Sequence, residues 1–236
     1  MAKMDAGNET RPPQQTASNI SQQPPQKASM APRWAAAIGA LALGILYAAL
    51  PERVTVGPSW LPLAIEIVLL LPLCIAWFMG RPLSHATTRI FSLILLSIVT
   101  LALIIGIALM ILTLPGRTQT QATNLLREAG LLWLSNILVF ALWYWEIDGG
   151  GPRKRHQKGH QAEDLMFPQQ QMGGNSDGHW APHFLDYVFV AFTTATAFSP
   201  TDTFPLTRTA KTLMMIESIL SILIIALIAA RAVNIL

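Results

Sequence analysis

At 236 residues, with 52% hydrophobic and only 12% charged side chains and a formal net charge of +3, the chain carries too little charge to cover a soluble globule of its size. That excludes an ordinary soluble domain and leaves an all-α membrane protein, because helices satisfy their own backbone groups inside a bilayer. The single cysteine, Cys74, excludes a disulfide framework or a cysteine-based metal centre within one chain.

Residues 1–33 are rich in Gln, Pro, Ser and Ala and contain R-P-P-Q-Q and Q-Q-P-P-Q-K. They cannot bury enough apolar surface to fold and are expected to form a disordered tail. The first apolar stretch, Trp34–Leu50, has Trp34 and Tyr47 as interfacial anchors and ends at Pro51, Glu52 and Arg53. It starts too late for a secretory signal and is expected to stay as an anchor. Trp60–Met79 follows, then Ile90–Leu114, which is free of charge throughout. Together these define a three-helix membrane domain over 34–115. Residues 126–236 form a second unit, with spans at Leu131–Ile147 and from about Thr212 to Leu236, which makes five transmembrane helices. Trp143, Tyr144 and Trp145 read as an aromatic belt, and Gly149–Gly151 as a release of the chain from the membrane. No internal repeat is visible.

After a polar loop of about 35 residues comes His183–Thr194, apolar and aromatic with one acid. As a helix it is about 18 Å long at 1.5 Å per residue, too short to span. A re-entrant helix fits that length. A helix lying flat at the interface is the alternative, but apolar residues occupy nearly every face, which calls for burial in protein.

The string F-T-T-A-T-A-F-S-P-T-D-T-F-P-L-T, Phe192 to Thr207, resembles without a gap the potassium-channel pattern F-V-T-L-T-T-V-G-Y-G-D-I-T-P-V-T. Phe192, Thr194, Thr196, Asp202, Pro205 and Thr207 are identical. Asp186 and Tyr187 resemble the D-x-L-Y that opens the family's pore helix. L-M-M-I-E-S-I-L-S resembles its inner-helix L-x-x-L-E-A-L-L-G, and A-A-R-A-V its A-R-L-V. The likeness covers about 50 residues and extends to uncharacterised bacterial membrane proteins that carry A-F-S-P-T-D. It implies an outer helix at Leu131–Ile147, a pore helix at His183–Thr194, a filter loop at Thr196–Asp202 and an inner helix at Thr207–Leu236. It further implies a homotetramer in a lipid bilayer, passing small inorganic ions, in a plasma membrane such as the bacterial inner membrane.

In that family four T-V-G-Y-G strands offer rings of carbonyls that replace the hydration shell of the ion. Here Ala197, Phe198, Ser199, Pro200 and Thr201 stand in those places. Both glycines are gone, and Pro200 fixes its own φ and restricts Ser199, so the carbonyl ladder is not expected to form. Hydroxyls remain on Thr194, Thr196, Ser199 and Thr201. Phe198 either forms a hydrophobic constriction or packs behind the loop. Asp202 either contributes to an acidic ring at the mouth or is a buried hydrogen-bond partner that holds the loop. Glu217 matches the family's glutamate and is expected to brace the pore helix, with Asp186 a second support. Ser221 stands where the family often has a hinge glycine.

Glu66 and Arg231 either pair with one another or snorkel to the interface. His156 and His160, and His179 and His183, stand four apart, but in a Gly- and Gln-rich loop with no matching acid they read as ordinary loop residues. With the amino terminus in the cytoplasm, twelve of the sixteen Lys and Arg residues fall inside. The filter then opens to the cytoplasm, as in the glutamate-receptor pore and unlike ordinary potassium channels. No nucleophile–base pair, phosphate loop or metal cluster appears, so neither an enzyme nor a cofactor is expected, and no nucleic-acid partner. The expected function is a tetrameric pore-loop channel whose filter is not potassium-selective. The alternative is a non-conducting accessory or structural protein that retains the channel fold. A small-solute transporter is disfavoured by the lack of inverted repeats.

Overall fold

The computed structural model describes residues 33–51, 54, 55, 58, 64, 67, 85–113, 122–171, 180–199 and 202–233. The expected tail up to residue 32, all of the second span Trp60–Met79 but residues 64 and 67, with Glu66, His179, and the filter residues Pro200 and Thr201 lie outside the described residues, as does the side chain of Arg231. The elements are α1 (Arg33–Ala48), α2 (His85–Thr113), α3 (Ala122–Ile147), a 3-10 turn (Asp148–Gly150), α4 (Pro152–Gln157), β1 (Leu165–Met166), α5 (Pro168–Gln171), α6 (Phe184–Ala197), β2 (Phe204–Pro205) and α7 (Arg208–Val233).

Among the described residues three helical stretches are long and apolar enough to cross a membrane: Ala86–Thr113, Asn124–Gly150 and Arg208–Ala230. The expectation of five such helices is therefore met in part. At 16 residues, α1 is about 24 Å long, short of a 30 Å hydrocarbon core.

Helix α3 is the axis of the molecule. It packs against α1, α2, α6 and α7, and its middle, from Val139 to Leu142, is buried on every side. It also starts nine residues before the expected Leu131, because the apolar face continues through Leu125, Ala129 and Leu132, all buried. In contrast α2 leaves Ile90, Ile94, Ile98, Leu101, Ile104 and Leu112 exposed, the surface a bilayer would cover. Close approach is built in at two glycines. A Cβ on Gly39 of α1 would lie 2.6 Å from the Phe184 ring, and one on Gly106 of α2 would lie 3.0 Å from the Val54 carbonyl.

The aromatic triplet at the end of α3 is not an interfacial belt. Each ring binds a different neighbour, which three consecutive helical positions, about 100° apart, allow. Trp143 Nε1 donates to Thr100 Oγ1 at 2.8 Å, the buried Tyr144 donates to Glu217 of α7, and the buried Trp145 meets Phe184 and Tyr187 of α6 edge-on. Gly149, Gly150 and Gly151, with φ of 61°, 78° and 96°, make a left-handed elbow that folds α4 back under α3.

Candidate functional site

The region that resembles a pore loop begins and ends at one end of the bundle. The Phe184 ring at the start of α6 lies 5.8 Å from Trp145, and Phe192 lies 6.1 Å from Trp133. Between those two tryptophans α3 rises by about 18 Å. Thus α6 runs inward along α3, yet by Phe204 the chain has returned to its starting end, where β2 pairs antiparallel with β1, Leu165 opposite Pro205 and Met166 opposite Phe204.

Local sequence explains both ends of α6. At the outer end the carboxylate of Asp186 accepts the backbone N–H of His183 at 2.7 Å, a third-residue acid occupying an otherwise unpaired N-terminal donor. Asp186 thus supports the helix by capping it. At the inner end the helix runs on through Thr196 to Ala197, three residues beyond the expected Thr194, and stops at Phe198 in a left-handed conformation (φ 56°). The loop expected from Thr196 therefore begins at Phe198. Within the helix the threonine hydroxyls are taken up by its own carbonyls: Thr193 donates to Phe189 O at 3.0 Å, Thr194 to Val190 O at 2.8 Å and Thr196 to Phe192 O at 2.8 Å.

The expected filter residues separate by environment. Thr194 is fully buried beside the Tyr144 hydroxyl. In the single chain Thr196, Ala197, Phe198 and Ser199 are exposed at the inner end. In the single chain Asp202 is exposed as well, with no hydrogen bond or ion pair among the described residues.

That holding role falls to a residue not singled out in the sequence. Asp164, in the polar loop, accepts from Thr207 Oγ1 at 2.7 Å and from the Gly149 N–H at 3.0 Å, while its carbonyl accepts the Leu206 N–H at 2.9 Å. Thr207 in turn accepts the Ala210 N–H at 3.3 Å and so caps α7. One residue ties the glycine elbow, the returning chain and the start of α7.

Asp148 anchors the same cap. Tyr187 of α6 donates to its Oδ2 at 2.6 Å, and the N–H groups of Leu165 and Asp164 approach its Oδ1 at 3.3 and 3.4 Å. Arg155, 2% exposed, balances it. One guanidinium nitrogen donates to the carbonyls of Asp148 (2.9 Å) and Trp145 (3.2 Å) and lies 3.7 Å from Asp148 Oδ2. The guanidinium also sits 4.9 Å from the Trp145 ring centre and 5.1 Å from that of Tyr187, so faces of two rings cover a cation that water does not reach.

A second polar group crosses the helix interface deeper in. Tyr144 of α3 binds Glu217 of α7, and Asn136 Nδ2 donates to Ser221 Oγ at 2.8 Å and to the Glu217 carbonyl at 3.3 Å. All four residues are buried. Glu217 therefore ties α7 to Tyr144 of α3, which also meets Thr194 of α6, and Ser221 is a partner in a continuous α7. Glu217 Oε1, Asn136 Oδ1 and Ser135 Oγ are buried without a protein partner among the described residues.

His156 Nδ1 and His160 Nε2 come within 3.3 Å. Burial, then the nearby Arg155 and His156, hold His160 down at about 4, so it is neutral at pH 7. Among the described residues no third His, Cys, Asp or Glu joins them in a metal-binding group.

Asp148, Arg155 and Asp164 have no short-range motif. Their signal was the density of charge in a loop expected to be featureless. Compared with known family models, curated proteins and solved structures, the chain shows no match.

Proposed function

We propose that the protein is a homotetrameric pore-loop ion channel whose filter does not select potassium. One observation carries this reading: a helix too short to span enters along α3 and the chain returns to the same end, leaving Thr196, Phe198 and Ser199 exposed at the inner end. In a bilayer the last carbonyls of α6 would face hydrocarbon, where nothing satisfies them. Neighbouring copies arranged around an aqueous path would satisfy them, and one chain encloses no path. In this reading α1 and the 60–79 segment complete five spans per subunit. The negative ends of four α6 helices favour cations at the centre, while Arg153, Lys154, Arg208 and Lys211 around the mouth favour anions.

A second reading rests on the end of α6. Thr196 and Ala197 are helical and Phe198 is left-handed, so these positions do not supply the extended carbonyls of a potassium filter. That supports a non-conducting accessory or structural protein.

Full-length protein in planar bilayers separates the two. Unitary currents in symmetrical salt are expected, with a reversal potential in asymmetric salt that assigns the sign of the ion. A tetramer confirmed by native mass spectrometry that passes no current overturns the channel reading. Orientation is tested by Arg153→Cys on a Cys74→Ser background. An impermeant thiol reagent should not label it in intact cells if the cap and filter face the cytoplasm.

A further inference from the structure

At the glycine elbow the side chains of Arg89 and Lys154 converge on Gly150. Arg89 lies in the first turn of the span Ala86–Thr113, and Gly150 is the last residue of the span Asn124–Gly150, so both sit where apolar helix meets the headgroup layer. The place a Cβ on Gly150 would occupy is 3.6 Å from Arg89 Nη1 and 2.9 Å from Lys154 Cδ. Arg89 Nε is buried and has no hydrogen-bond partner among the described residues.

The nearby carboxylates are engaged. Asp148 faces Arg155 and Tyr187, Asp164 holds Thr207 and Gly149, Glu163 pairs with Lys158 at 2.6 Å, and Glu146, beside Gly151, has a partner of its own. Two cationic side chains that converge on one point, one with a buried N–H lacking a partner among the described residues, favour an anion between them. A phosphate fits, since a guanidinium presents parallel N–H donors and an ammonium adds a point charge. The depth of the pair, and the exposed Arg153, Arg208 and Lys211 at the same end, make the source a lipid.

We propose that Arg89 and Lys154, which converge where Gly150 lacks a side chain, bind the phosphate of an acidic phospholipid headgroup. The site goes beyond the channel reading and does not depend on conduction.

The test uses full-length protein in neutral detergent, titrated with phosphatidylglycerol, phosphatidylcholine or glycerol 1-phosphate, with bound molecules counted by native mass spectrometry. Phosphatidylglycerol should be retained in preference to phosphatidylcholine. Arg89→Gln with Lys154→Gln should weaken it about thirtyfold, near the loss expected for two charges at a membrane surface. Arg208→Gln, at the same end, should change it less than about twofold. Equal retention of phosphatidylcholine, equal binding of glycerol 1-phosphate, or an unaltered affinity in the double variant overturns the proposal. If the double variant does not fold, Lys154→Gln alone, at an exposed side chain, must still weaken binding by about fivefold. No change there overturns the proposal too.

Discussion

Replacing Arg155 by methionine should destabilise the cap, and the size of the effect follows from its surroundings. Arg155→Met keeps much of the apolar stem but removes the donors to two carbonyls at 2.9 and 3.2 Å, the charge 3.7 Å from Asp148 and the cation over two rings. The gross attraction at 3.7 Å is about 4 kcal/mol at an effective dielectric constant near 20. Removing one member of a buried pair costs about 3–5 kcal/mol, because the other charge is left behind. Asp148 retains the Tyr187 hydroxyl and two backbone donors, which places the expected loss near 3 kcal/mol. For a chain of this size that is a fall in Tm of roughly 6–12 °C. Tryptophan fluorescence in detergent is the assay of choice, since the guanidinium lies against Trp145. Adding Asp148→Asn to Arg155→Met should recover at least half of the loss. A single variant melting within about 2 °C of the native chain would refute the idea that this pair holds the cap together.

Other perturbations test the remaining contacts. Tyr144→Phe leaves both carboxylate oxygens of Glu217 without a partner and should cost about 1–3 kcal/mol, whereas Tyr144→Phe with Glu217→Leu should cost less than Tyr144→Phe alone. A double variant at least as destabilised as the sum of the singles would count against the pairing. Acid should also weaken the fold through His160. Its folded value, about 4, lies below the ordinary 6.5, so the unfolded chain takes up the proton first. That contribution is whole above pH 6.5 and is lost progressively as pH falls toward 4. His160→Asn, which tolerates the left-handed backbone there, should flatten the dependence of Tm on pH across that window. An unchanged slope would show that other groups carry it.

The sequence marked α6 through its length and apolar faces, and Thr207 through the string it belongs to. Both depend on residues near one another in the chain. The inner boundary of α6 was misplaced because the potassium-channel pattern starts its loop at Thr196, whereas here the helix runs to Ala197 and stops at Phe198. The partners of Glu217 were also hidden, since Tyr144 lies 73 residues away. Trp143, Tyr144 and Trp145 misled for the same reason. Consecutive aromatics near a span end have an interfacial meaning in sequence, but here each points to a different element.

Composition and apolar run lengths alone determined that the chain is a helical membrane protein, because the cost of exposing backbone to lipid depends on little else. Phe192 to Thr207 likewise announced a break between two helices. Only the tertiary structure decided that a loop of glycine and scattered charge is a packed cap. The reason is physical: a buried carboxylate needs several donors, and those of Asp148 come from Tyr187, Leu165 and Asp164, brought together by the elbow at Gly149–Gly151 and not by spacing along the chain.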